Sequence, residues 1–270
     1  MIYLSLGAGV QSSALFVMAA LGLRGCPKPE VSVFADTQDE PKWVYRQVEA
    51  LTAFGEVHGL PGVRVTAGKL SDETYGHATG TRKRRAALPV FTLGDDGREA
   101  MLPRQCTEEY KLAPIRKYLR QRLGYVARQR IPAGSVEALI GLSFDERFRM
   151  KESRQAWIVN RWPLIDAAIT RSGCVSILEA HGVPVPEKSA CIYCPFHDDA
   201  YWLNLRQREP ESFDEACRFD DAIRVVSRAG LKRPVYLHRS LIPLRDVTFQ
   251  ERQQGLDYGF TNECTGHCGV

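Results

Sequence analysis

The chain has 270 residues, 44% hydrophobic, 25% charged and 9% aromatic, with 36 Lys and Arg against 32 Asp and Glu for a net charge of +4. These are the proportions of a soluble globular protein of one large or two small domains, and they exclude a disordered chain, a collagen and a coiled coil. The weak basic excess permits a phosphate-bearing ligand without demanding nucleic acid. The longest apolar stretch, Ala14 to Leu23, is about half the length a bilayer requires, and it lacks the basic lead and cleavage site of a signal peptide. A cytoplasmic protein with no membrane partner is expected.

In chain order, Ile2 to Leu6 reads as a buried strand, Gly7-Ala8-Gly9 as a glycine loop, and the residues from Ser12 as an apolar helix. Val31 to Ala35 is a second strand ending at Asp36-Thr37. Asp39 is placed to cap a helix with Pro41 in its first turn and Val44, Val48 and Leu51 on one face. A third strand follows at Val63 to Thr66. Strands alternating with helices call for a doubly wound α/β fold with a parallel sheet. Between Gly68 and Gln105 the pattern dissolves into a long functional loop carrying the basic run Arg82-Lys83-Arg84-Arg85. Leu112 to Leu123 reads as a helix and Val136 to Ser143 as a buried strand. Further helices are expected at Val175 to His181, Asp198 to Arg208 and Ser212 to Ala229, before an Arg-, Gly- and Gln-rich tail. This divides the chain into a nucleotide-binding α/β domain, residues 1–170, and a helical, cysteine-bearing C-terminal extension, residues 171–270.

Glycines between a parallel strand and a helix let the backbone approach an anion, and the helix start offers unpaired N–H groups. Ser5, Gly7, Gly9, Gln11, Ser12 and Ser13 are therefore candidate phosphate-binding residues, with Asp36 and Thr37 at the neighbouring strand end where open α/β sheets bind ligands. A tight turn with small residues for packing is the alternative. The loop is neither a Walker A motif nor Gly-x-Gly-x-x-Gly. Arg104, Lys111, Arg147, Arg149, Lys151 and Arg154, with the run at 82–85, offer a cationic wall for phosphate or sulfate. No aromatic interleaving accompanies that run.

Eight cysteines in a reducing compartment point to metal or redox chemistry. Cys191-Ile192-Tyr193-Cys194 is a C-x-x-C knuckle that suits a metal centre, a redox pair or, in the simplest case, two buried packing residues. Cys264 and Cys268 close the chain and offer a mobile nucleophile with a resolving thiol, or two more metal ligands. Cys26 and Cys217 are read as packing residues, and most of the six histidines, which have no metal spacing among themselves, as surface or capping groups.

Gly7-Ala8-Gly9-Val10-Gln11-Ser12 resembles the pyrophosphate loop of the phosphoadenosine phosphosulfate (PAPS) reductase and N-type ATP pyrophosphatase superfamily, with Gln11 where the family has Asp. Phe34-Ala35-Asp36-Thr37 with Glu40-Pro41 resembles its second strand end. Arg104-Gln105-Cys106-Thr107 with Lys111 and Pro114 resembles its Arg-Cys segment, and Asp145-Glu146-Arg147 with Arg149, after Gly141-Leu142, its substrate segment. Glu263-Cys264 with Gly266-His267 is similar to the tail that carries the nucleophile of sulfonucleotide reductases.

The resemblance implies an ATP-dependent enzyme that releases pyrophosphate and transfers sulfur, with Arg104 and Lys111 on the transferred group and ATP, Mg2+ and a [4Fe-4S] cluster as cofactors, zinc being the alternative metal. Cys106, Cys191 and Cys194 would hold the cluster. The fourth position falls to Cys174, to a tail cysteine, or to an open iron holding exogenous sulfur. Two other readings stand beside it: reduction of adenosine phosphosulfate (APS) or PAPS with Cys264 as nucleophile, and a non-catalytic nucleotide-binding cluster protein. The expected partners are an adenine nucleotide and a second copy of the chain, with a sulfur-donor protein and a nucleic-acid acceptor left open.

Overall fold

In the computed structural model, residues 1–78, 81, 88–224 and 233–250 are described. Strand β1 (Ile2–Leu6) leads through the glycine loop into helix α1 (Val10–Leu21). Ala14 to Ala19 of α1 are almost wholly inaccessible, because this helix is apolar all round and lies between the sheet and other helices. β2 (Val31–Asp36) is buried along its whole length, as a strand covered on both faces must be. α2 (Lys42–His58) follows and ends at Gly59, whose left-handed backbone (φ 67°) turns its N–H onto the Gly55 carbonyl. β3 (Gly62–Thr66) completes the first half of the sheet.

Helix α4 (Ala113–Arg122) is preceded by a wide π turn at Thr107–Leu112, and β6 (Val136–Ile140) and β7 (Ile158–Arg161) close the sheet. The order is β3-β2-β1-β6-β7 and every pairing is parallel, the α/β architecture that the alternation predicts. One face packs Leu4, Leu6 and Phe34 beneath α1 and α2; the other packs Tyr3, Val33, Ala138 and Ile140 beneath Ile115 and Leu119 of α4. The core on the first face runs without a break from Leu4 to Phe249. It takes in the short α5 (Pro163–Asp166), α6 (Arg171–Ala180), α7 (Asp199–Arg208) and α8 (Pro210–Ile223). Among the described residues no helix is long and apolar enough to cross a membrane.

The expected long loop at 68–105 is in part ordered structure. It holds α3 (Leu70–Ala78) and a hairpin of β4 (Phe91–Leu93) and β5 (Glu99–Met101), to which the two-residue β8 (Val235–Tyr236) adds antiparallel. The basic run 82–85 lies outside the described residues, as do the end of the expected helix at 212–229 and the cysteine tail.

Capping also departs from expectation. The first amides of α2 are held by Glu209, whose carboxylate accepts from the N–H groups of Lys42 (3.1 Å) and Trp43 (3.2 Å). Asp39 instead caps α3, accepting from Ser71 N (2.7 Å) and Ser71 Oγ (2.9 Å). Burial raises the Asp39 carboxyl to about 7 against these hydrogen bonds and the nearby Lys69 charge. An unfolded aspartate titrates near 3.9, so the folded chain holds this proton more tightly. The contribution to stability is fully present below about 3.9 and is lost as pH rises through about 7. Thermal melts across that window should therefore decline less steeply for Asp39→Asn than for the wild type; equal slopes would contradict the assignment.

Candidate functional site

The first turn of α1 leaves its amides without helix partners, and the loop before it is tightly wound, with Ala8 at φ 56°. The Ser12 hydroxyl at once accepts from Gly9 N (3.2 Å) and donates to Gly9 O (3.1 Å), fixing the loop. Ser5, Gly7, Gly9, Gln11 and Ser12 line a cavity of about 150 Å³. Ser13 does not: it is fully buried, and its hydroxyl accepts from Gln47 Nε2 at 3.3 Å. Its side chain thus anchors α1 to α2 and does not face the cavity.

Cations from distant segments converge here. Arg149, Arg171 and Lys188 line the same cavity. Glu146, 2% exposed, accepts from Gln11 Nε2 (3.0 Å) and pairs with Arg149, and Arg171 donates to Gln11 Oε1 (3.2 Å). A neutral amide at position 11 can serve both a carboxylate and a guanidinium, which an aspartate there cannot. Asp36 lies outside this cavity, with its carboxylate taking Gln38 N (2.7 Å), Tyr45 Oη (3.0 Å) and, at 3.7 Å, Arg64.

Beside the loop cavity is a small apolar one of about 40 Å³ lined by Cys106, Cys191 and Cys194 together with Thr37, Arg104 and Lys111. Ala190, Cys194 and Phe196 are common to both cavities. The knuckle is tied down on two sides: Ser189 donates to the Gly7 carbonyl of the phosphate loop, and Ile192 N donates to Asp39 O at 2.8 Å.

The thiols differ in acidity. Donation from Cys191, aided by the Phe196 amide and the Lys188 and Arg104 charges, brings Cys194 down to about 7, while the same bond and burial hold Cys191 well above the ordinary thiol range. Burial, then the charge of Cys194, raises Cys106. Lys111 Nζ sits 3.6 Å from Glu40 Oε1; burial works against its charge, but Glu40 and the three thiols hold it above an ordinary lysine. His197 is not one of the surface histidines expected for most of the six: it is buried under the knuckle. Its ring stacks on Tyr201 at 3.5 Å and its Nε2 meets the Cys191 carbonyl at 2.9 Å.

Three of the four expected metal ligands therefore share one cavity. Cys174 does not join them: it is fully buried on α6, with Asp145, Arg171 and Glu146 as its charged surroundings. Cys264 and Cys268 lie outside the described residues. Three soft donors beside two cations suit an anionic, thiolate-held group in their chemistry, although among the described residues no three His, Cys, Asp or Glu side chains are spaced as a ready metal site. Sequence reasoning missed Ser189, Lys188 and the pairing of Glu40 with Lys111, and it marks Gly141 only as a strand end. None lies in a local pattern; only the position of Ser189 just before the knuckle could have drawn attention.

No family model matches the chain, and no curated protein does. Among solved structures it is similar to a PAPS reductase from Candida auris in a phosphate complex, at 13% identity and TM-score 0.43, over 70% of this chain and 80% of that one. It is also similar to the U34-tRNA thiolase NcsA from Methanococcus maripaludis with its [4Fe-4S] cluster, at 12% identity and TM-score 0.37, over 82% of this chain and 70% of that one. The first of these is by name a member of the superfamily that the motifs resemble, and the chain itself is an α/β protein whose glycine loop and cysteine knuckle adjoin.

Proposed function

We propose that the chain cleaves ATP between its α and β phosphates, adenylates an oxygen atom of an acceptor with release of pyrophosphate, and places sulfur on that acceptor as AMP departs. The observation that carries the reading is the junction of the two cavities, where Ser189 of the knuckle segment is bonded to Gly7 of the phosphate loop. Sulfur chemistry and phosphate chemistry there share the wall formed by Ala190, Cys194 and Phe196.

In this reading the amides of the first turn of α1, with Arg149, Arg171 and Lys188, take the departing pyrophosphate, since they offer preorganised N–H and guanidinium donors where charge develops. Glu146 holds Gln11 and Arg149 in place. Arg104 and Lys111 face the transferred group. Cys106, Cys191 and Cys194 are the thiolates that would hold a [4Fe-4S] cluster, which would supply iron to carry the sulfur to be transferred. Cys191, a proton donor to Cys194, would have to give up that proton to serve as a ligand.

The test is the product of ATP turnover with water standing in for the acceptor. Slow formation of AMP and pyrophosphate is expected, with Ser12→Ala weakening ATP affinity about tenfold, because the hydroxyl that ties the phosphate loop to Gly9 is lost. ADP and phosphate as products, or ATP affinity unmoved by Ser12→Ala, would overturn the reading.

A further inference from the structure

Beyond Arg104 and Thr107, which line the thiol cavity on one side, the same two residues open on their other side into a cavity of about 410 Å³. It lies on the α4 face of the sheet, between the start of α4 and residues 151–160. The phosphate loop contributes nothing to its walls. Its size is that of a small-molecule site.

The lining carries four cations, Arg104, Arg116, Lys151 and Arg154, against two carboxylates, Glu108 and Glu152. Arg116 is paired with Glu108, and Arg104 with Thr107. The exposed side chains of Lys151 and Arg154 have no partner among the described residues. At the floor is Tyr3, 5% exposed, whose hydroxyl likewise makes no hydrogen bond to a described residue. Burial keeps its phenol protonated, so a donor with no acceptor of its own among the described residues lines a cavity with excess positive charge.

We propose that this cavity binds a phosphate-bearing molecule, with Lys151 and Arg154 on the phosphate and Tyr3 donating to a polar atom deeper in, and that this molecule is the acceptor of the transferred sulfur. Two unpaired cations match a phosphomonoester dianion better than a single carboxylate. The thiol cavity then lies between the nucleotide loop and the acceptor, with Arg104 at the boundary. The acceptor role rests on the sulfur-transfer reading; the anion site does not.

The experiment is calorimetry on the full chain saturated with a non-hydrolysable ATP analogue, using uridine 5′-monophosphate and a short single-stranded oligouridylate as probes. The nucleotide monophosphate is expected to bind. Lys151→Ala with Arg154→Ala should raise its Kd about tenfold or more, and Tyr3→Phe by roughly fivefold, as loss of charge-assisted and single hydrogen bonds predicts. Affinity for the ATP analogue and the melting temperature serve as controls and should not move, since Lys151 and Arg154 are exposed and the Tyr3 hydroxyl has no partner to lose. Tighter, salt-sensitive binding of the oligonucleotide assigns the phosphate to a nucleic-acid strand, and equal binding assigns it to a free small molecule; both support the site. Absence of binding by both probes, or binding that the variants leave unchanged, overturns it. Failure of the ATP analogue to bind the wild type defeats the sulfur-transfer reading while leaving the variant comparison intact.

Discussion

Gly141→Ala is expected to leave the fold in place and yet cut nucleotide turnover by about a hundredfold, the cost of an ångström-scale misplacement at a reacting centre. Gly141 follows the last residue of β6, and a Cβ there would stand 2.6 Å from Ser12 Cα, 2.7 Å from Ser12 N and 3.0 Å from Gln11 C. Each of these is an atom of the phosphate loop or the start of α1, so no flexible side chain can yield. The loop must move away from β6, carrying the Ser12 hydroxyl and the first free amides out of register with Arg149 and Arg171. Overpacking of this kind costs typically 1–3 kcal/mol, about enough to lower the melting temperature without unfolding the chain. Steady-state release of pyrophosphate together with a thermal melt checks both halves of the expectation. Unchanged turnover would mean that the approach of β6 to the loop does not set the geometry of the site.

Lys111→Met should be the most damaging single change in the thiol cavity. Glu40 has 1% side-chain exposure and Lys111 16%. Among the described residues Glu40 Oε2 has no hydrogen-bond partner, and Oε1 relies on Lys111 and on Thr37 Oγ1 at 3.2 Å. Removing the ammonium leaves a carboxylate buried and uncompensated, which costs about 3–5 kcal/mol, or roughly 10 °C in melting temperature for a chain of this size. The double variant Lys111→Met with Glu40→Gln should recover much of the loss, because the orphaned charge goes with its partner. The single variant should also slow alkylation of Cys106 and Cys191 in the metal-free chain, since Lys111 favours the thiolate form of both. An additive double variant would show that the two side chains are not coupled.

The first half of the sheet was legible because its signals are local: an apolar run, a glycine loop and a helical stripe within a few residues of one another. What could not be read rests on partners far apart in sequence. The segment of α3 reads as loop because its cap is Asp39, 32 residues upstream of Ser71, and the β4–β5 hairpin does so because the turn Gly94-Asp95-Asp96-Gly97 joins strands of only three residues. β7 has the sequence Ile-Val-Asn-Arg, too short and too polar to stand out. In the site, the order of motifs brought Cys106 together with Cys191 and Cys194, but nothing local shows that Cys174 points into the core or that Ser13 serves Gln47. Nor could the knuckle's attachment to the loop be foreseen, since Ser189 and Gly7 are 182 residues apart.

The central claim, that the three thiols sharing a cavity beside the phosphate loop hold a cluster used in nucleotide-dependent sulfur chemistry, is tested most directly by anaerobic purification followed by iron, sulfide and zinc analysis with a visible absorption spectrum. About four irons and four sulfides per chain are expected, with the charge-transfer absorption of a thiolate-held cluster, and loss of both in Cys191→Ser with Cys194→Ser. One zinc and no iron, or iron retained in full by that double variant, would contradict it.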